Sequence, residues 1–532
     1  MVKKQAIIDN FYLKTFLTGW GICCLVWSFM IFQFWWGNHD WPYISQGVLL
    51  SSGLFEARYS LHLLFVAFLK GQLFPVYLTI FTLGVLVAEG LLFASYLEIP
   101  KKLENYLFVV LFVGLNPYSF VLFYFVHYMF SLVSWGFIGA CFLFLVEKPW
   151  KWWKFLLGGV LFYGIIGSYP PNIALIFVLF TAKRLKKYCD KQENFFQICK
   201  MVIYLFLQII LGYLGFKITF FLLVKNHFLN LDMYNLALRS IEEVFYNSLP
   251  ELRQSFLQLF HQRSFMEWEY CLLIAGMIAV AIILVYQNNI SKFVVTILLL
   301  ASFLASRFGF LVSGDSSGFA IFRMEYWGRL GIALFALGVL LNVDSKFIRN
   351  MLFLWCVICL YKFVKTDFDI QKIQYLGWQA HQRYELRLKE KILEQGFNID
   401  NKYIAADFGY PRFRLKYFSG NVITGEMSEY PHVFSGDIVN HLFSEEKVSP
   451  VAVYTEIKGD LLVKHPVKTD EEMWKNKSYW QDNPENMKNI RFWLYNEAKG
   501  NGVYVDDKYI ILVLETKIFY QKRELVANWL DK

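Results

Sequence analysis

Apolar runs recur along residues 15–365, separated by short basic turns, aromatic belts or proline-bearing loops, and the pattern then stops. A helix rises 1.5 Å per residue, so roughly 20 apolar residues cross a bilayer, and about eleven runs here approach that length. They fall at 15–36, 74–96, 105–117, 126–146 and 155–167, then from the Pro170-Pro171 turn towards Lys183, and at 201–224, 270–287, 293–312, 329–343 and 351–365. The third is cut off by Asn116-Pro117, where a helix cannot easily continue. The first run follows Lys3 and Lys4 and ends in Phe34-Trp35-Trp36 with no small-residue cleavage site, so it reads as an uncleaved first span.

Between the first two runs, residues 37–73 are only half polar, and Leu61, Leu63, Leu64, Phe65 and Phe68 recur at helix-like intervals. That spacing predicts helices lying along a membrane surface. Beyond residue 365 the composition becomes that of a soluble domain, with a helix expected over 370–395 and strands over 451–454 and 509–514. The predicted architecture is a polytopic α-helical membrane region, 1–365, followed by a small α+β domain, 366–532.

Composition agrees: 56% hydrophobic, 19% aromatic and 18% charged residues leave too little polar surface to cover a soluble globule of 532 residues. The net charge of +9 is uneven, because residues 366–532 carry 23 basic and 25 acidic side chains. Its excess cations sit in turns, at Lys101-Lys102, at Lys148, Lys151 and Lys154, and at Lys183, Arg184, Lys186 and Lys187. This is the positive-inside pattern, not a nucleic-acid footprint. The last cluster reads as an orientation signal in contact with anionic headgroups. An inside amino terminus and an odd number of spans place the C-terminal domain outside the cytoplasm. All eight cysteines precede residue 360, and the Cys356-x-x-Cys359 pair lies inside an apolar run, which favours packing over redox or metal chemistry.

Candidate chemistry gathers on the outer side. Asn38-His39-Asp40-Trp41 follows the first span and Glu56-Ala57-Arg58 follows within about twenty residues. A carboxylate costs roughly 2.5–3.5 kcal/mol at a membrane centre and less at its mouth, so one placed there has a task. His127 opens the fourth span, Tyr169 sits in the Pro-Pro turn, and Arg307, Asp315, Arg323, Glu325 and Arg329 surround the loop between spans nine and ten. This set suits attack by a hydroxyl on a sugar carried by a lipid phosphate. Asp40 would take the hydroxyl proton, and the arginines would hold the departing phosphate. His39, Trp41, Glu56, Arg58, His127, Tyr169, Arg307, Arg323, Glu325 and Arg329 are the candidate substrate-binding residues. The scheme requires no metal or nucleotide, although a divalent metal would be compatible with it. No Walker sequence, Gly-rich dinucleotide fingerprint or H-E-x-x-H occurs.

Each candidate also has a plain structural reading. Asp40 could cap a helix, Arg58 or Arg323 could snorkel to headgroups, His127 could be a hydrogen-bonded structural histidine, and Glu325 could neutralise Arg329 one turn on.

A first span, an external Asp40-Trp41 and then Arg58-Tyr59-Ser60 running into an apolar helix resembles the Gtr-type-II glucosyltransferase family, membrane enzymes that decorate bacterial O-antigen. His39 stands where that family often has the first of two acids, and Ala57 where it usually has glycine. The resemblance covers about residues 15–180 and implies a GT-C-like fold in the bacterial cytoplasmic membrane. It further implies a polyprenyl-phosphate-linked sugar donor, a hexose, by family likeness glucose, as the group transferred, and a surface-glycan acceptor. Two other classes compete: a flippase or transporter of a lipid-linked sugar, which should hold charge at mid-membrane, and a non-enzymatic assembly protein indifferent to loss of Asp40.

Overall fold

The structure is a computed structural model. It describes residues 2–33, 60–72, 74–117, 126–147, 151–170, 172–225, 296–297, 330–343 and 345–398, with four strands beyond them. The predicted spans at 270–287 and 293–312, apart from a fragment at 296–297, lie outside the described residues.

The described helices are α1 (Val2–Val26), α2 (Ser28–Phe32), α3 (Leu61–Leu69), α4 (Pro75–Tyr96), α5 (Leu103–Gly114), α6 (Val126–Val146), α7 (Trp152–Ile166), α8 (Asn172–Cys189), α9 (Phe195–Lys225), α10 (Leu330–Leu340) and α11 (Lys346–Glu394). Among the described residues, four segments are long and apolar enough to cross a membrane: Pro75–Tyr96, Met129–Val146, Phe195–Leu223 and Lys346–Lys372. The protein is therefore a helical membrane protein. Its exposed apolar side chains, such as Phe81, Val160, Phe221 and Tyr361, are what a bilayer would cover.

From α4 to α9 consecutive helices alternate in direction. The carboxyl ends of α4 and α6 meet where Tyr96 packs edge-on against Phe144, and the long α11 runs alongside α5 through Phe108–Phe353 and Phe112–Phe363. Small residues set the close approaches. A Cβ on Gly90 would stand 2.8 Å from the Val110 backbone, and one on Gly212 would stand 2.7 Å from the Tyr163 nitrogen. Membrane helices pack this way because lipid offers no hydrophobic drive, leaving close van der Waals contact to hold them.

Three elements differ from expectation. The first span is broken at Trp27 between α1 and α2, where the Gln371 amide takes up the freed backbone groups. The span expected at 351–365 and the helix expected at 370–395 are one helix of 49 residues, roughly 70 Å long, because no proline separates them. In place of a surface helix, α3 packs against α6, with Leu61 fully buried and Phe68 edge-on to Phe130. Its residues are apolar almost all round, so it lacks the polar face that an interfacial helix needs.

The chain divides into two compact units, Met1–Lys372 and Ile373–Lys532. The second holds a sheet of β1 (Ile404–Phe408), β2 (Ala452–Lys458), β3 (Gly502–Val505) and β4 (Tyr509–Val513), in the order β2-β1-β4-β3. β1 runs parallel to β2 and β4, while β3 and β4 are antiparallel. Val503 faces Leu512 and Val505 faces Ile510, and all four are buried, as alternation with one covered face requires.

Candidate active site

The described part of the candidate site is built on Ser60, the residue that ends Arg58-Tyr59-Ser60 and precedes α3. All three of its polar groups are engaged. Its backbone N–H donates to the Gly167 carbonyl at 3.1 Å, and its hydroxyl donates to the Gly164 carbonyl at 2.5 Å. Its own carbonyl accepts the Trp135 indole N–H at 3.0 Å. The final carbonyls of a helix have no partner within it, so the end of α7 offers acceptors, and Ser60 takes two of them. Trp135 comes from α6 and reaches this point because Gly164 carries no Cβ; a methyl there would collide with the indole ring.

The Pro-Pro turn continues from the same end of α7. The Ser168 hydroxyl and the Tyr169 N–H both donate to the Ile165 carbonyl, at 2.9 Å each. Past the prolines, the Asn172 side-chain amide donates to the Leu132 carbonyl of α6 at 3.1 Å, and the Asn172 N–H returns to the Tyr169 carbonyl at 3.1 Å. Tyr169 is half-buried and is thus fixed by its backbone on both sides. His127 lies on the first turn of α6, five residues before Leu132 and so about 7.5 Å from it along the helix axis. The structure therefore brings Ser60, Tyr169 and the His127 backbone to one end of the α6–α7–α8 group. Of the other sequence candidates, Asp40, His39, Trp41, Glu56, Arg58, Arg307, Arg323, Glu325 and Arg329 lie outside the described residues, as does Asp315.

The opposite end carries the dense basic cluster, whose cations are paired with carboxylates. Lys183 and Lys186 pair with Glu98 at 2.6 and 2.8 Å, and Arg184 pairs with Glu193 at 2.5 Å. Arg184 and Lys187 also pair with Glu147, which accepts a hydrogen bond from the Tyr96 hydroxyl at 3.0 Å. Arg184 is almost wholly buried, so the cluster joins α4, α6 and α8. Lone cations in a turn suggest lipid, whereas here carboxylates distant in sequence neutralise them. Burial by itself would raise the Glu98 carboxyl, but hydrogen bonds and charge from Lys183 and Lys186 outweigh it and hold the group at about 2.

Sequence reasoning missed Ser60, Trp135 and Gly164 as the joint that fixes the first loop to the Pro-Pro turn. A serine among apolar residues carries no periodic signal, and hydrogen bonding to a distant helix end leaves no local mark. It also missed Glu89, a lone acid inside an apolar run, for which the signal was present. Among the described residues no group of three or more His, Cys, Asp or Glu is placed to hold a metal. No protein-family model, curated protein or solved structure matches the chain.

Proposed function

We propose that this protein is a membrane glycosyltransferase that moves a hexose, by family likeness glucose, from a polyprenyl-phosphate-linked donor to a surface glycan such as O-antigen. The reaction would take place on the outer face of the bacterial cytoplasmic membrane, with the C-terminal domain on that same side. Asp40 acts as the general base that takes the acceptor hydroxyl proton. Arg58 and Arg323 hold the donor phosphate as its charge grows on leaving, a task suited to a planar bidentate cation. His39, Trp41, Glu56, His127, Tyr169, Arg307, Glu325 and Arg329 line the path of donor and acceptor.

The observation that supports this reading is the engagement of Ser60 by Gly164, Gly167 and Trp135. Ser60 follows Arg58 by two residues in sequence, and it is fixed at the end of α7 that leads into Tyr169, the same end of the α6–α7–α8 group at which α6 begins with His127. Catalysis depends on placement at the ångström scale, and a loop tied to a rigid helix end can deliver it. Mass spectrometry of surface glycan from cells with and without the gene tests the reading. A hexose increment that disappears with the gene supports it, and identical glycans oppose it.

Glu89 favours a second reading, a flippase or transporter of a lipid-linked sugar. It is a fully buried acid in the middle of a span, where transporters bind coupling ions. Accumulation of undecorated lipid-linked sugar on the inner leaflet in the deletion strain would support it.

A further inference from the structure

Glu89 lies at the fifteenth of the 22 positions of α4 and is fully buried. Among the described residues, neither of its carboxyl oxygens has a hydrogen-bond partner and no lysine or arginine pairs with it. Thr82 and Tyr96 stand seven residues to either side, and seven residues turn a helix by nearly two whole turns. Thr82, Glu89 and Tyr96 therefore share one face of α4, about 10.5 Å apart along the axis, and all three are buried. Among the described residues Thr82 also has no partner for its hydroxyl, nor does Ser131 on α6. At the far end of the stripe the Tyr96 hydroxyl donates to Glu147 of the ion cluster. A line of polar groups thus runs through an apolar helix pair and ends in a charged network.

An ionised carboxylate in such a place costs several kcal/mol when nothing pairs with it, and proteins answer that cost by neutralising the group. The titratable neighbours cannot supply a compensating positive charge. Cys141 of α6 is near enough to feel Glu89, and a thiol carries no positive charge. A metal ion would need several further oxygens around it, whereas a proton needs only the carboxyl itself.

We propose that Glu89 is a proton-binding site within the membrane region, exchanging its proton along the α4 face with the Tyr96–Glu147 end. The site does not depend on the transferase reading, and its tests use no sugar. The bound form is the neutral acid, and release sends the proton towards Glu147 through the Tyr96 hydroxyl, with water bridging the intervals that no side chain spans. This is the arrangement of an intramembrane proton relay, where isolated acids mark the path.

Infrared spectroscopy of the full-length protein in lipid nanodiscs reads the site directly. Exposed glutamates are ionised at neutral pH, so the carbonyl band of a protonated carboxyl reports only sheltered acids. The expected result is such a band at pH 7, shifted in deuterated water and missing from Glu89→Gln, which keeps the shape of the neutral acid. Tyr96→Phe should leave the band in place and slow its shift after transfer to deuterated water at least about tenfold. A spectrum of wild-type protein without the band at pH 7 overturns the proton site. A band that shifts equally fast in Tyr96→Phe overturns the route. Modification by a membrane-soluble carbodiimide, mapped by peptide mass spectrometry, gives an independent reading that needs no variant. Label on Glu89 at neutral pH that declines as pH rises supports the site, and labelling of Glu89 only after denaturation opposes it.

Discussion

The side-chain amide of Gln371 is inserted between Val26 and Met30, two residues that would hydrogen-bond to each other in an unbroken helix. The Met30 N–H donates to Gln371 Oε1 at 3.0 Å, and Gln371 Nε2 donates to the Val26 carbonyl at 3.0 Å. A group inserted into the helical ladder is a recognised cause of a break, and here it lies between α1 and α2 at Trp27. The same amide also donates to the Asp367 carbonyl, so one glutamine joins α11 to the first span. The break lies 13 residues before Asp40 in the sequence.

Replacing Gln371 with methionine nearly keeps the volume and removes all three of its side-chain hydrogen bonds. The buried Val26 carbonyl and Met30 N–H then lack partners, at about 1–3 kcal/mol each if α1 does not straighten. Thermal unfolding in detergent should show a lower Tm than wild type. A Tm unchanged or raised would mean that α1 and α2 rejoin without the amide.

Gly164→Ala tests the joint at Ser60. The added methyl must displace the Trp135 ring, which would free the Ser60 carbonyl, and overpacking of this kind costs about 1–3 kcal/mol. The variant should unfold at lower temperature, and its sugar transfer should fall further than its loss of folded protein explains. Trp135→Phe, which removes the indole N–H together with the five-membered part of the ring, should also lower both, because the hydrogen bond to the Ser60 carbonyl is lost and a void is left.

Much of this fold was legible in the sequence, because spanning helices declare themselves by length and apolarity. The expected spans at 74–96 and 126–146 lie within a residue of α4 and α6, and the turn at Asn116-Pro117 follows the end of α5. What was hidden depended on contacts between distant residues. The sequence places Gln371 in an ordinary polar stretch, and only packing of α11 against α1 reveals its use. Likewise Lys183 and Arg184 look like a free basic patch until Glu98, Glu147 and Glu193 are brought to them. Tyr169 was legible as a turn residue through its two following prolines, whereas Ser60 became significant only once α7 ended beside it.

Acid should weaken the joint between α4 and α8. Glu98 titrates at about 2 in the folded protein against an ordinary value of 4.5, so the folded state prefers its ionised form. The contribution is complete above about 4.5 and is lost as pH falls towards about 2. The effect is modest because Glu98 is half exposed and salt screens it. Glu98→Gln should flatten the acid side of a stability-against-pH curve measured at low salt, while an unchanged slope would assign that limb to other carboxylates.

The orientation read from the basic turns has a direct check. A reporter fused after Lys187 should behave as cytoplasmic, and one fused after Lys532 as extracytoplasmic. Reporters on the same side would require the number of crossings between those residues to change by an odd number.

The most direct measurement is hexose transfer by purified Asp40→Asn protein, supplied with a polyprenyl-phosphate hexose donor and the glycan acceptor. Asparagine keeps the size of aspartate and its hydrogen bonding but cannot take a proton, so transfer should fall by at least about 10²-fold. Folding and donor binding should remain at wild-type levels. Transfer near the wild-type rate would contradict the assignment of Asp40 as the base and turn attention to Glu56 and Glu325.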